Sequence, residues 1–170
     1  MAHPRVEQLR FARSEFLRGL EGVTEETAQR RVGQMNSIGW MVGHMAWHEQ
    51  LYWLTRGQGV TPFPKLNESV GSGLPASTPS LAEMRAAWHE VTAAVDPWLD
   101  GLDAAGLHVV PASNTPTPQS LGTMLLRVTY HYFVHCGEAS AVRQMVEGGE
   151  LPEFVGPIQE LAPWRAEPGD

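Results

Sequence analysis

Hydrophobic residues recur every three or four positions along most of the chain, which is the spacing of amphipathic helices. Proline, serine and threonine at the start of each periodic stretch indicate where the helices begin. A proline inside the third stretch, Pro97, is expected to kink that helix or end it early. The pattern predicts a short helix after Thr24 and four long helices, over residues of about 4–20, 36–55, 80–99 and 120–146.

The segments between these helices are rich in glycine, proline and small polar residues. Residues 57–79 and 101–120 are predicted to be long loops because of this composition, and only the short stretch "LHVV" in the second alternates as a strand would. The residues from 148 to 170 are expected to form an extended tail on the surface. We therefore predict an all-α fold, a four-helix bundle with long crossover loops, in one domain over 1–170 with a helical core at about 5–147.

Composition narrows the range of functions. A formal charge of −7, with 12 scattered basic residues, argues against a nucleic-acid-binding surface. No apolar run reaches the roughly 18 residues that a membrane span needs, and the first residues lack a secretory signal. The single cysteine, Cys136, excludes an internal disulfide and suits a reducing compartment. We expect a cytoplasmic protein that acts on a small molecule, without a nucleic acid or membrane partner.

Four of the seven histidines form two pairs spaced four residues apart. His44 and His48 lie in the second long helix, and His131 and His135 lie in the fourth. Residues at this spacing share one helix face, and in both helices that face carries the apolar residues expected to point at the core. Imidazoles from facing helices can converge on one divalent ion inside a bundle.

Hydrogen-bonded core histidines are the alternative interpretation, and either pair alone would favour it. Two inward-directed pairs favour a metal site instead, because buried unpaired imidazoles cost desolvation. A zinc-protease motif is excluded, since Glu49 follows the second histidine of its pair rather than the first.

The stretches "NSIGWMVGHMAWHE" and "HYFVHCGEASAVRQMV" resemble the DinB/YfiT-like superfamily over residues of about 5–147. These are four-helix metalloproteins related to bacillithiol- or mycothiol-dependent S-transferases and to maleylpyruvate isomerase. The resemblance implies a homodimer and a divalent ion, nickel or zinc first and iron or manganese as further candidates. It assigns the metal ligands to His44, His131 and His135.

Neighbouring residues receive weaker assignments. Glu138, three residues beyond His135, is expected to orient that ligand or reach a bound water, although a solvated carboxylate fits nearly as well. Trp40 and Trp47 are candidates for lining a pocket, with ordinary packing as the alternative. His48 has no counterpart among the family's ligands and is expected to line the pocket or to support a ligand by hydrogen bonding. Cys136 points about 100° away from His135 and is expected to be a small core residue, not a catalytic thiol. His3, His89 and His108 are expected to be peripheral.

Three neutral ligands leave an ion its charge and its open positions, which is typical of catalytic sites. The chain offers no nucleophile motif of its own, so the nucleophile has to come from solvent or a cosubstrate. The resemblance favours a thiol S-transferase that acts on small electrophiles. A metal-dependent hydrolase of a small amide or ester and a non-catalytic stress-response metal-binding protein are the alternatives.

Overall fold

A computed structural model describes residues 2–112 and 117–166 of the chain. Within those residues the secondary structure is entirely helical, as the sequence predicts, and a π-helical segment at Gln50–Arg56 continues the third helix. No helix in the described part is long and apolar enough to cross a bilayer. The α-helices are α1 Pro4–Gly19, α2 Glu25–Gln29, α3 Ile38–Glu49, α4 Lys65–Ser69, α5 Leu81–Asp100, α6 Ala104–Leu107, α7 Leu121–Val146 and α8 Ile158–Leu161.

The long helices α1, α3, α5 and α7 form a four-helix bundle. Helix α3 packs mainly on α5, α1 packs mainly on α7, and α3 also faces α7. Side-chain caps fix the starts of α2, α3, α5 and α7, because the oxygens of Thr24, Ser37, Ser80 and Ser120 accept the backbone N–H three residues later. These bonds satisfy N–H groups that have no partner inside the helix. The helix starts predicted from the sequence are therefore confirmed.

The predicted loops contain more structure than their composition indicated. Helix α4 interrupts the segment 57–79, α6 lies in 101–112, and α8 lies in the tail that was expected to be extended. Residues 113–116 of the second predicted loop and 167–170 of the predicted tail lie outside the described residues. The tail does run over the surface of the bundle, where the Val155 N–H donates to Glu15 on α1 at 2.8 Å.

The prediction that Pro97 would kink or end its helix early is wrong, because α5 continues to Asp100. A proline lacks the N–H that would bond the carbonyl four residues earlier, but Pro97 is exposed and water can reach that region. Tertiary contacts hold the last turn in place. Leu99 is fully buried, and the Asp96 carboxylate accepts a hydrogen bond from Arg13 at 2.6 Å.

Two glycines set the position of α3 against the rest of the bundle. A Cβ atom at Gly39 would collide with the carbonyl oxygen of Pro79, and one at Gly43 would collide with the Met84 sulfur. Both glycines lie on the first turns of α3 (Ile38–Glu49). The helix therefore approaches α5 and its preceding loop more closely than any larger residue allows, which fixes the direction of its opposite, histidine-bearing face.

A buried polar network joins the four long helices. Arg13 of α1 makes two 2.7 Å hydrogen bonds to the Glu49 carboxylate of α3 and one of 2.6 Å to Asp96 of α5. The Tyr132 hydroxyl of α7 donates to Glu49 at 2.8 Å and accepts from the Trp88 indole of α5 at 2.7 Å. Burial raises the pKa of Tyr132 well above its ordinary value, so the phenol stays protonated and able to donate.

Candidate metal centre

Three of the four paired histidines converge between α3 and α7. The ring centroids of His44 and His131 are 5.1 Å apart, those of His44 and His135 are 5.3 Å apart, and those of His131 and His135 are 4.7 Å apart. One ring nitrogen from each residue lies within 4.8 Å of the other two. The family resemblance assigned the ligand role to these same three residues, and the fold brings their nitrogens together.

Hydrogen bonds determine which nitrogen two of these rings present. His44 Nδ1 lies 2.8 Å from the carbonyl oxygen of Val70, which only accepts, so this nitrogen carries the proton and leaves Nε2 with a free lone pair. His135 is arranged in the same way, because its Nδ1 lies 2.9 Å from the Glu138 carboxylate. Such carbonyl and carboxylate partners are what metal-ligating histidines usually have.

The distance between the two α7 histidines also suits an ion. Their Nε2 atoms are 3.1 Å apart, a separation that allows both to reach one ion at a typical distance of about 2.0–2.1 Å. Burial lowers the pKa of His44 to about 4 and the pKa of His131 to about 3. Both rings are therefore neutral near pH 7, which is the form that binds a metal. The donor set fits a divalent ion.

Glu138 lies where it can orient His135, which is one of the interpretations that the sequence offered for this residue. One carboxylate oxygen holds His135, and the other accepts the backbone N–H and the side-chain amide of Asn36, at 3.3 and 3.1 Å. The hydrogen bond to His135 is the main cause that lowers the pKa of Glu138. The carboxylate is therefore an anionic acceptor clamped between α7 and the start of α3, and not a freely solvated group.

Two tryptophans enclose the His44 ring. Trp40 stacks on it with centroids 4.4 Å apart and planes 12° apart, and Trp47 lies 5.0 Å away at 30°. The Trp47 indole is anchored by a 2.9 Å hydrogen bond to Asn67. Both residues line the histidine cluster, and their flat faces restrict the orientation of the His44 imidazole.

Sequence reasoning missed the support that comes from the segment 57–79. The backbone carbonyl of Val70, the residue that follows α4, accepts a hydrogen bond from His44. The side-chain amide oxygen of Asn67 accepts one from the Trp47 indole. The buried Gln50 amide holds this segment by bonding the backbone of Phe63 at both N and O. A backbone carbonyl has no sequence motif, so the role of Val70 as the acceptor for His44 is visible only from the path of the chain.

The remaining histidines and the cysteine lie outside the cluster. His89 and His108 are exposed, while His3 is buried and caps α1 by accepting the Arg5 N–H, a role that the sequence did not indicate. Cys136 is buried, and burial raises the pKa of its thiol to about 12. Cys136 is thus a core residue with an unreactive thiol, as expected.

His48 lies beside the cluster without joining it. Its ring contacts His131, with centroids 4.0 Å apart, and Tyr52, with centroids 4.5 Å apart. The distance to His44 is longer, at 6.4 Å. Burial lowers the pKa of His48 far below its ordinary value, so this ring is also neutral.

The sequence of residues 8–139 matches the family model of the DinB superfamily. The chain belongs to the DinB superfamily. All three converging histidines lie within the matched residues, and the DinB match runs from α1 into α7. The resemblance inferred from the two histidine stretches is therefore confirmed.

The fold is similar to that of a solved structure. That structure is described as a conserved protein from Enterococcus faecalis, and it superposes with a TM-score of 0.67 over 85% of this chain and 96% of its own, at 18% identity. At this identity the likeness concerns the fold. No curated protein matches this DinB-superfamily chain significantly.

Proposed function

We propose that this DinB-superfamily protein is a metal-dependent enzyme whose divalent ion is held by His44, His131 and His135. The observation that carries the proposal is the convergence of three imidazoles, one nitrogen of each within 4.8 Å of the others. Nickel and zinc are the first candidates for the ion, since both accept imidazole ligands. When bound, such an ion supplies Lewis-acid chemistry that favours the thiolate form of a thiol near pH 7.

The reaction we propose is the transfer of a low-molecular-weight thiol, of the bacillithiol or mycothiol type, to a small electrophile. The sulfur forms a bond to an electrophilic carbon, the leaving group departs with its electron pair, and the thiol proton passes to solvent. The only cysteine of the chain is buried, with its pKa raised to about 12. The nucleophile therefore has to come from a cosubstrate or from solvent, which is consistent with a thiol-dependent enzyme.

The protein's own groups would act by orientation and by exclusion of water. The Val70 carbonyl and the Glu138 carboxylate hold two of the rings in one tautomer, and Trp40 and Trp47 cover the His44 faces. His131 is the most exposed of the three rings. A substrate would therefore approach from the His131 side of the cluster.

Metal analysis tests the site. Protein purified without a histidine tag should contain about one divalent ion per chain, and His135→Ala should lose it, because one of the three donors is gone. The matched control is His89→Ala, which removes an exposed histidine outside the cluster. Full metal content in His135→Ala would refute the ligand assignment.

Conjugation assays test the reaction. Metal-loaded protein is incubated with monochlorobimane and each thiol in turn, and the fluorescent thioether is compared with the uncatalysed rate. We expect acceleration with at least one thiol, abolished in His44→Ala and retained in His108→Ala. Cleavage of small esters or amides without thiol would instead indicate a hydrolase, and the absence of both activities would indicate a metal-binding protein without catalysis.

A further inference from the structure

The two histidines that touch most closely across α3 and α7 share an unusual feature. His48 and His131 have ring centroids 4.0 Å apart, with planes at 68°. The Nδ1 atom of each ring is buried and has no hydrogen-bond partner among the described residues. A buried polar atom left unsatisfied is costly, and two such atoms in neighbouring rings can satisfy each other, because a neutral imidazole nitrogen is either a donor or an acceptor.

Metal binding would increase the need of His131 for a hydrogen-bond acceptor. A ring that ligates through Nε2 must carry its proton on Nδ1. His44 and His135 already have acceptors for that proton, in Val70 and Glu138. His131 points Nε2 at the cluster, 3.1 Å from His135 Nε2, and its Nδ1 is the one that lacks an acceptor within the described chain.

We propose that His48 is this acceptor, a positioning residue whose ring nitrogen takes the Nδ1–H of His131 and so orients that ring toward the ion. The inference rests on the proposed metal site. In this proposal His48, the fourth of the paired histidines, supports His131 and does not itself bind the ion. The two rings are in direct contact, with centroids 4.0 Å apart, and the hydrogen bond would form when the rings turn and separate slightly so that the two nitrogens face each other.

The packing of His48 argues against a role as a fourth ligand. Its nitrogens are not part of the group that converges within 4.8 Å, and its ring lies 6.4 Å from that of His44. On its other side His48 packs against Tyr52 at 4.5 Å, which holds the ring next to His131. With only 6% of its surface exposed, His48 has little access to solvent acceptors.

The test compares two replacements of His48. His48→Phe keeps an aromatic ring against Tyr52 but removes the acceptor, whereas His48→Gln keeps a side-chain oxygen that can accept. Zinc affinity is measured by competition with a chelator. We expect His48→Phe to bind about 10–100-fold more weakly than the wild type, the usual effect of losing such a support, and His48→Gln to recover most of that loss.

Two further measurements separate hydrogen bonding from packing. Thermal unfolding of the metal-free forms shows whether either variant is misfolded. In zinc-loaded ¹⁵N-labelled protein, the Nδ1–H resonance of His131 should be protected from exchange in the wild type and in His48→Gln, and lost to exchange in His48→Phe. A packing effect alone would not restore this resonance in the glutamine variant.

The outcomes also distinguish this inference from the proposed function. Wild-type affinity in His48→Phe, or equal weakening in both variants, would overturn the role of His48 and leave the three-histidine site intact. A wild-type protein that binds no divalent ion would overturn both.

Discussion

The buried pair between Arg13 and Glu49 gives the sharpest test of how the bundle is held together. Glu49 is fully buried, and Arg13 has 5% of its surface exposed. Burial lowers the pKa of Arg13, but the Glu49 charge and hydrogen bonds outweigh that effect, so the net change is upward and the guanidinium stays charged. Arg13→Met removes the charge and the hydrogen-bond donors and keeps an unbranched apolar stem.

The expected cost follows from what each partner loses. In Arg13→Met the Tyr132 hydroxyl is the one donor to the Glu49 carboxylate that remains among the described residues, and the carboxylate stays out of water. Removing one member of a buried pair typically costs about 3–5 kcal/mol. Asp96 adds little, because its side chain is 41% exposed and can be hydrated. For a chain of this size the loss corresponds to a melting temperature lower by about 10 °C.

Urea unfolding, followed by circular dichroism, measures this cost against a matched control. Arg10→Met makes the same substitution on the same helix, but Arg10 pairs with Asp96 and Asp100 at exposed positions. Such surface pairs contribute about 0–1 kcal/mol. The double variant Arg13→Met/Glu49→Gln should be more stable than Arg13→Met alone, because no charge is left buried. Equal losses in Arg13→Met and Arg10→Met, or no recovery in the double variant, would refute the reasoning.

Three further outcomes are expected. Glu138→Gln should weaken zinc binding about tenfold, because a neutral amide replaces the anionic acceptor of a ligand; chelator competition measures this, and unchanged affinity would contradict it. Cys136 should resist iodoacetamide at pH 8 in the folded protein and react in urea, because burial raises its pKa to about 12; rapid native labelling would contradict it. The hydrogen bond with Arg18, followed by that from the Val155 N–H, lowers the pKa of Glu15 from 4.5. The stability that this carboxylate contributes is present above pH 4.5 and is lost as the pH falls below that value. The tail should therefore become sensitive to proteolysis in acid before the bundle unfolds. If the tail and the bundle lost their structure at the same pH, the proposed link between Glu15 and the tail would be contradicted.

Local signals account for most of what the sequence predicted. Caps such as Ser37 and Ser120 act on N–H groups three residues away, and the apolar spacing needs no information about distant elements. The inward direction of His44 and His135 follows from the same periodicity. Because the family motif places ligands on two particular helices, the resemblance also indicated which histidines meet.

Features that depend on distant partners were missed. Pro97 breaks a local rule, yet α5 continues because Leu99 in its last turn is buried and Asp96 is bound by a residue 83 positions away. In the sequence, Glu49 is a helix carboxylate next to His48. Its contacts with Arg13 and Tyr132 depend on the packing of α1 and α7 around α3, which the local pattern does not indicate. Tertiary packing overrides propensity in the first case and creates the network in the second.

The antiparallel register of α3 and α7 explains why the chain carries the same histidine spacing twice. His44 lies beside His135, and four residues further along α3 His48 lies beside His131, four residues earlier on α7. In an antiparallel register, two histidine pairs with equal spacing lie opposite each other, so the four imidazoles become neighbours. The hydrogen bond from Tyr132 to Glu49 joins the residues that follow His131 and His48, so the buried network fixes the register on which the cluster depends. A variant that breaks this bond should therefore alter metal affinity as well as stability.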